Sequence, residues 1–549
     1  MMKKKIAFLL SLLLSGNLLF AQDRLCVLTD RGSYVSGDLV FCSVFVFDEE
    51  GVLSPFSAVS YLELISTDGT AAESKIGLFN GRGCGSFRIP VNTPTGNYRL
   101  LAYTARGSIS ESAAPILSIY NTSSSARVKD GVHVMPSAQD NIPSFHSIAE
   151  ESPVKISFPA TLAPGEKAIL TLSGPAADLC ISVFHNDGLT HFPASDLSEW
   201  TRKSGKSRPV EASGEYEGEI ITASVEDLGQ RANAAENGVT AYLSTTGAPA
   251  NAYVGRNVGN DAIQFYTGNI YGDHEIVCEV VSIYGHSAHI SLKSPFRNPE
   301  LQEAIPALSI WPAEQNALLA RKASIYTDKG MTLDTLVQFL PKREDMLLSS
   351  ITPIRYHLDD YNRFSSVRET CTEFVSELSY SRSGGKWTVK MVTRDPASGK
   401  RFQVDNILVM MDGVILTDHG ILSDFDAMLL EDIDIYPRSI VIGEVPFNGV
   451  VNFITKKNYV TALKFPENTR VVDFKGVAYP VSYRGQAPVG EKDLRQVLLW
   501  LPAQALTEAS PLEIPIQTPS YAGDFIIRIQ GLLQDDGSPV SAEYRFSVE

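Results

Sequence analysis

The sequence predicts a mainly β, multidomain chain: a string of β-sandwiches interrupted by one α+β domain. Three observations lead there. Most of the 549 residues fall into short apolar runs separated by Gly, Pro, Asn, Asp and Ser turn signals. A turn-and-strand pattern near the start recurs further along the chain. Helical spacing of apolar residues is confined to stretches between about Pro312 and Leu430.

Composition sets the frame. With 44% hydrophobic, 20% charged and 9% aromatic residues, the chain is globular and has room for several domains of ~100 to 200 residues each. Lys3-Lys4-Lys5 precede an apolar run from Ile6 to Phe20, and Ala21-Gln22 offers a cleavage point, so residues 1–21 read as a secretory signal peptide. The run is short of the ~20 apolar residues that a retained span needs. Asp23-Arg24-Leu25 before Cys26 lacks the small residues of a lipoprotein box. Without the leader, 44 basic residues face 63 acidic ones, 19 net negative, which makes nucleic acid a poor partner. Six cysteines, Cys26, Cys42, Cys84, Cys180, Cys278 and Cys371, lie beyond the leader. Export permits disulfides, with 15 full pairings open; buried free thiols in strands explain the same residues equally well.

Residues 22–122 read as all-β, with strands at Leu25 to Thr29, Leu39 to Phe47, Tyr61 to Ile65, Gly85 to Ile89, Asn97 to Thr104 and Ile116 to Tyr120. Ser36-Gly37-Asp38, Asp68-Gly69 and Pro94-Thr95-Gly96 mark the turns. The segments Thr29 to Asp38 and Gly96 to Thr104 resemble the opening and closing strands of macroglobulin-type sandwich domains, although Ser36 stands where those domains usually place Pro. Residues 123–152, rich in Ser and Pro, read as a linker. A second sandwich is expected over 153–297, opening with Ala163-Pro164-Gly165-Glu166 and carrying a polar insertion from Trp200 to Gly218.

Residues 298–352 read as a partly helical connector. Ser366 and Glu369 then form a capping-box signature, and Val367, Cys371, Phe374, Val375 and Leu378 share one helical face. That helix is expected to lie across a sheet made by Trp387 to Thr393, Phe402 to Val404 and a hairpin. The hairpin runs from Ile407 through Asp412-Gly413 to Leu416, and Asp-Gly suits the two positive-φ positions of a type I′ turn. A short helical stretch from Asp424 to Leu430, a strand around Ile433 and Ile435, and a strand from Val450 to Thr455 complete an α+β domain over 353–458.

The hairpin Val409 to Val414, the step Leu429 to Ile435 and the segment Asn448 to Lys457 together resemble the plug domain of TonB-dependent outer-membrane receptors. Glu444-Val445-Pro446-Phe447 departs from it, since receptor plugs usually carry small Gly and Ala residues there. A receptor barrel of about 22 strands at about 10 residues each needs several hundred residues, and 92 follow from Asn458, so no barrel is expected in this sequence. The tail, 459–549, reads as a further C-terminal sandwich: Thr518-Pro519 through Gly523-Asp524-Phe525 echoes Thr93-Pro94 through Gly96-Asn97-Tyr98.

No chemistry stands out. His286 and His289 are three apart in strand-like sequence, where i and i+3 face opposite ways. Asp359-Asp360 reads as a solvated turn. Gly81-Arg82-Gly83-Cys84-Gly85 opens a strand and no helix follows, so phosphate cradling fails. No nucleophile elbow appears, and Cys278 and Cys371 lack the Cys-x-Glu-Gln run of a macroglobulin thioester. The expectation is a non-enzymatic cell-envelope protein without cofactor or metal, exported to the periplasm or outer membrane. The plug resemblance implies an outer-membrane β-barrel protein or its transport or secretion complex as partner, met through the stretch Arg438, Glu444, Pro446 and Phe447. The alternative is a protease-interacting, alpha-macroglobulin-like inhibitor without thioester, with Ser198 to Gly218 as bait.

Overall fold

The computed structural model describes residues 23–107, 109, 114–136, 152–198, 214–226, 238–246, 251–259, 262–282, 289–328, 337–338, 348, 351–394, 397–457, 459–485 and 492–549. The expected leader, most of the expected connector beyond residue 328 and most of the polar insertion 200–218 lie outside them. The chain forms two compact units, one of 1–218, 296–340 and 477–549, the other of 219–295 and 341–476. Among the described residues no helix is long and apolar enough to cross a membrane, which does not bear on crossing by strands.

In the first unit, the opening sandwich pairs Arg24–Thr29, Leu39–Phe47 and Arg82–Arg88 in one sheet. The other sheet runs Ser33–Val35, Ile116–Tyr120, Gly96–Tyr103, Val59–Ser66, Gly69–Gly77. Alternation along Leu39–Phe47 sends Val40, Cys42, Val44 and Val46 into the sandwich core and Phe41, Phe45 and Phe47 to the opposite face, against the second sandwich. The edge strand Gly69–Gly77 escaped sequence reading because GTAAESKIG carries almost no apolar period. At the opening turn Gly37 takes φ 101, a conformation natural to glycine, and Asp38 Oδ2 accepts the Val35 N–H at 2.9 Å. Ser36 donates its hydroxyl to the Thr93 carbonyl at 2.7 Å, a bond that the expected Pro could not make.

The second sandwich repeats the first strand for strand. Its smaller sheet is Lys155–Ser157, Lys167–Ser173, Leu512–Gln517. Its larger sheet starts Thr161–Leu162, Pro539–Val548, Gly523–Leu533, Ala177–His185, Val497–Leu506, then adds Val481–Arg484 and Val337–Gln338. Both sandwiches have one parallel pair in the same place, Ser33–Val35 with Ile116–Tyr120 and Thr161–Leu162 with Pro539–Val548. The opening turn is also copied: Gly165 has φ 77, and Glu166 Oε2 accepts the Ala163 N–H at 2.7 Å.

This pairing corrects the domain division. Strands assigned to a sandwich over 153–297 and to a separate one over 459–549 share one sheet, with Ile181 opposite Leu501 on one side and Ile529 on the other. Each of these strands is a Val/Ile/Leu run whose period marks a buried face but says nothing about which distant strand covers it. The linker is corrected as well: within 123–152, Val132–Val134 pairs in parallel with Leu308–Ile310.

The second unit holds another sandwich and the α+β domain. The sandwich pairs Arg256–Asn257, Ala262–Tyr266, Ile220–Glu226, His289–Leu292 over Ala252–Val254, Val239–Thr245, Asp273–Ser282, Thr469–Lys475. Its last strand therefore comes from the stretch expected in the tail.

In the α+β domain, the central sheet runs Ile354–His357, Leu430–Tyr436, Val450–Thr455, Leu408–Met411, Val414–Ile415. Asp412 (φ 48) and Gly413 (φ 80) make the expected positive-φ turn, and the Asp412 carboxylate accepts both the N–H and the hydroxyl of Thr455 at 2.7 Å. Ser366 caps the helix Val367–Glu373 by accepting the Glu369 N–H. The helix stops at Glu373, before Val375 and Leu378, and Leu378 opens a strand instead. Trp387 to Thr393 and Phe402 to Val404 do not join the hairpin's sheet; with Leu378–Ser383 they form a separate three-stranded one. Asp424 to Leu430 holds only a 3-10 turn, Ala427–Leu429.

Candidate binding site on the α+β domain

The stretch singled out from sequence, Arg438 to Phe447, is a small hairpin of Ile440–Ile442 and Val445–Phe447, turning at Gly443 with φ 60. Two asparagines tie down its base. Asn406 Nδ2 donates to the Pro446 carbonyl at 2.7 Å, and Asn448 Nδ2 donates to the Asp405 carbonyl at 3.0 Å.

Arg438, Glu444 and Pro446 are exposed. Phe447 is not: it is 5% exposed and packs with Ala252, Leu408, Met410, Tyr436 and Val450. The expectation that Phe447 presents apolar surface is corrected on this point. Alternation along a two-residue-period hairpin turns Phe447 inward and leaves Val441, 67% exposed and opposite Pro446, facing outward.

Below the hairpin lies a cavity of about 270 Å³ lined by Tyr242, Thr388, Asn406, Thr417, His419 and Phe447, among others. His419 Nδ1 accepts the Val389 N–H at 3.0 Å, which leaves the ring proton on Nε2. Burial lowers its pKa to about 4, so the imidazole is neutral at physiological pH. Thr417 donates its hydroxyl to the buried Glu279; burial raises the Glu279 pKa while the Thr417 donors pull it down. Burial also raises the Tyr242 pKa, with the Glu279 charge adding to it. Hydroxyls and a neutral imidazole suit hydrogen bonding to a ligand. Sequence reading missed Tyr242, Glu279 and His419 because they come from segments far apart in the chain, with no local motif to join them.

The other candidates have ordinary settings. Asp359 pairs with Arg363 and faces Lys456 at 3.7 Å. His286 lies outside the described residues, and among those described no group of His, Cys, Asp and Glu could hold a metal. All six cysteines are free thiols, five of them buried. Gly81 to Gly85 leads into and forms the strand Arg82–Arg88, where a side chain at Gly83 would meet the Gly77 carbonyl at 2.3 Å.

No protein-family model matches the chain, and no curated protein does. Among solved structures it is similar to trypsin-activated alpha-2-macroglobulin from Escherichia coli, at 8% identity and TM-score 0.24, covering 96% of this chain and 41% of that one. Salmonella alpha-2-macroglobulin reacted with methylamine gives 11%, 0.25, 96% and 39%. The Yersinia pseudotuberculosis adhesin InvE gives 10%, 0.15, 53% and 66%. The chain spans about two fifths of the length of these macroglobulins, and at such values the likeness assigns neither a family nor an activity.

Proposed function

We propose that this chain is a non-enzymatic, alpha-macroglobulin-like protein of the cell envelope that works by binding. The observation that supports it is the second sandwich, which repeats the first in strand order and in its opening turn. The macroglobulin-type opening and closing segments read from sequence are thus used twice as one frame. The α+β domain, in the other unit, carries the binding surface: the exposed hairpin residues Arg438, Val441, Glu444 and Pro446, with the cavity of mixed apolar and polar lining beneath.

Two finer readings differ in the partner. The plug resemblance favours an outer-membrane β-barrel protein or its transport or secretion complex. The duplicated sandwich favours a protease, met through the polar stretch 198–218, most of which lies outside the described residues. Crosslinked co-purification from the native envelope, combined with limited proteolysis, separates them. A barrel protein recovered with the full chain, and lost with the double variant Val441→Asp and Glu444→Lys, supports the first. Rapid cutting within 198–218 with retention of the protease supports the second. Neither outcome would leave the binding reading without a partner and overturn it.

A further inference from the structure

The three-stranded sheet of the α+β domain is oppositely charged to the chain that carries it. Residues 378–404 hold Arg382, Lys386, Lys390, Arg394, Lys400 and Arg401 against one acid, Asp395, in a protein of formal charge −16. The pairing register sorts them. Leu378 stands opposite Met391 and Tyr380 opposite Val389, so Leu378, Val389 and Met391 point into the domain core. The other face then carries Ser379, Ser381, Lys386, Lys390, Arg394 and Arg401. Lys386, Lys390 and Arg394 follow one another at every fourth residue of a single strand, ~13 Å apart. Among the described residues only Lys390 of these has a carboxylate partner, Asp405 at 2.8 Å, itself exposed.

The aromatic groups belong to the opposite face, the one that turns Val389 and Met391 inward: Trp387 stands opposite Arg382 and Phe402 opposite Thr393. Trp387 lies between the guanidinium groups of Arg368 and Arg382, at 5.0 and 5.4 Å from its ring centre, and Phe402 on the edge strand is 50% exposed.

We propose that this face is a docking surface for the anionic headgroups of a membrane. Cations and hydroxyls spread over an open sheet, instead of converging on a pocket, match a plane of phosphates better than a single small anion. The strongly acidic remainder of the chain is repelled by the same surface, so attraction confined to this sheet also fixes the orientation of the α+β domain. The inference takes from the proposed function only the envelope setting, and its test does not involve the hairpin.

The experiment is co-sedimentation of the full chain with phosphatidylcholine vesicles and with vesicles containing a quarter phosphatidylglycerol, at low and high salt. Expected is binding to the anionic vesicles only, weakened about tenfold or more by raising the salt. The triple variant Lys386→Glu, Arg394→Glu and Arg401→Glu should weaken it by about a hundredfold or more, at roughly a factor of five for each cation lost. Unchanged far-ultraviolet circular dichroism checks the variant's fold, and the salt and lipid dependence of the unsubstituted chain tests the idea without it. Equal binding to both vesicles, no binding, full binding by a folded variant, or binding to soluble polyphosphate but not to vesicles would each overturn it.

Discussion

Thr518 donates its hydroxyl to the carbonyl of Ala163 at 2.7 Å across 355 residues of chain. The bond ties the opening turn of the second sandwich to the segment before its penultimate strand. Glu166 strengthens the same junction by accepting the Thr518 N–H at 2.9 Å, and the first sandwich has the matching bond from Ile89 to Asp38 at 2.9 Å. Thr518 is fully buried. Replacing it by Val keeps the shape and leaves the Ala163 carbonyl without that donor, at a cost of about 1–2 kcal/mol. Thermal unfolding of the first unit should shift down accordingly, with that of the second unit unchanged.

The shared sheet has a larger consequence. A chain ending at residue 485 lacks Val497–Leu506, Leu512–Gln517, Gly523–Leu533 and Pro539–Val548, which cover Leu179, Ile181 and Val183. Limited proteolysis read by mass spectrometry should then cut within 153–185, while 219–282 and 351–476 keep their resistance. An unchanged cutting pattern in 153–185 would mean that the tail folds as a sandwich of its own.

Much of this architecture was legible in sequence, and what was not has a common cause. Strands such as Leu39 to Phe47 and the Asp412-Gly413 turn are local: a period of two and two positive-φ positions suffice to define them. The echo of Thr93-Pro94 in Thr518-Pro519 was also visible, and it marks equivalent strands. The partner of Ala177–His185 was not legible, because burial on both neighbours produces the same apolar run whether the covering strand is 40 or 350 residues away. Phe447 failed for a related reason. An apolar residue in a turn-rich stretch reads as surface until the hairpin's register is known and its partners, Leu408, Met410, Val450 and the distant Ala252, are in place. The cavity residues Tyr242 and His419 carried no signal at all.

In the α+β domain, Phe453 is fully buried at the centre of the sheet, opposite Ile433 and Met411. Phe453→Ala should cost about 3–5 kcal/mol. Denaturant unfolding should show that loss in the second unit alone.

His419 gives that domain a pH dependence. Its pKa falls from the ordinary 6.5 to about 4 in the fold, so between these values the unfolded chain binds more protons. Stability therefore declines as pH drops from about 7 to about 4, by at most ~3 kcal/mol, and this contribution levels off below. His419→Gln, which can still accept the Val389 N–H, should flatten the difference. Unfolding free energies of both proteins at several pH values check it.

The buried thiols should be unreactive. Burial pushes Cys278 up to about 12 and Cys84 up to about 11, and raises the other four as well. At pH 8 an aromatic disulfide reagent should label at most one thiol quickly in the native protein, Cys84 being the partly exposed one, and all six after denaturation.

The outer-membrane reading of the proposed binding turns on the exposed hairpin residue Val441. A photoreactive amino acid at Val441, whose side chain points to solvent, can be irradiated in cells carrying the full chain and the adducts identified by mass spectrometry. The account predicts a crosslink to an outer-membrane β-barrel protein, or to a component of its complex, that disappears when the reactive group is moved to the buried Phe447. No adduct at Val441, together with protease adducts or cleavage at 198–218, would contradict it.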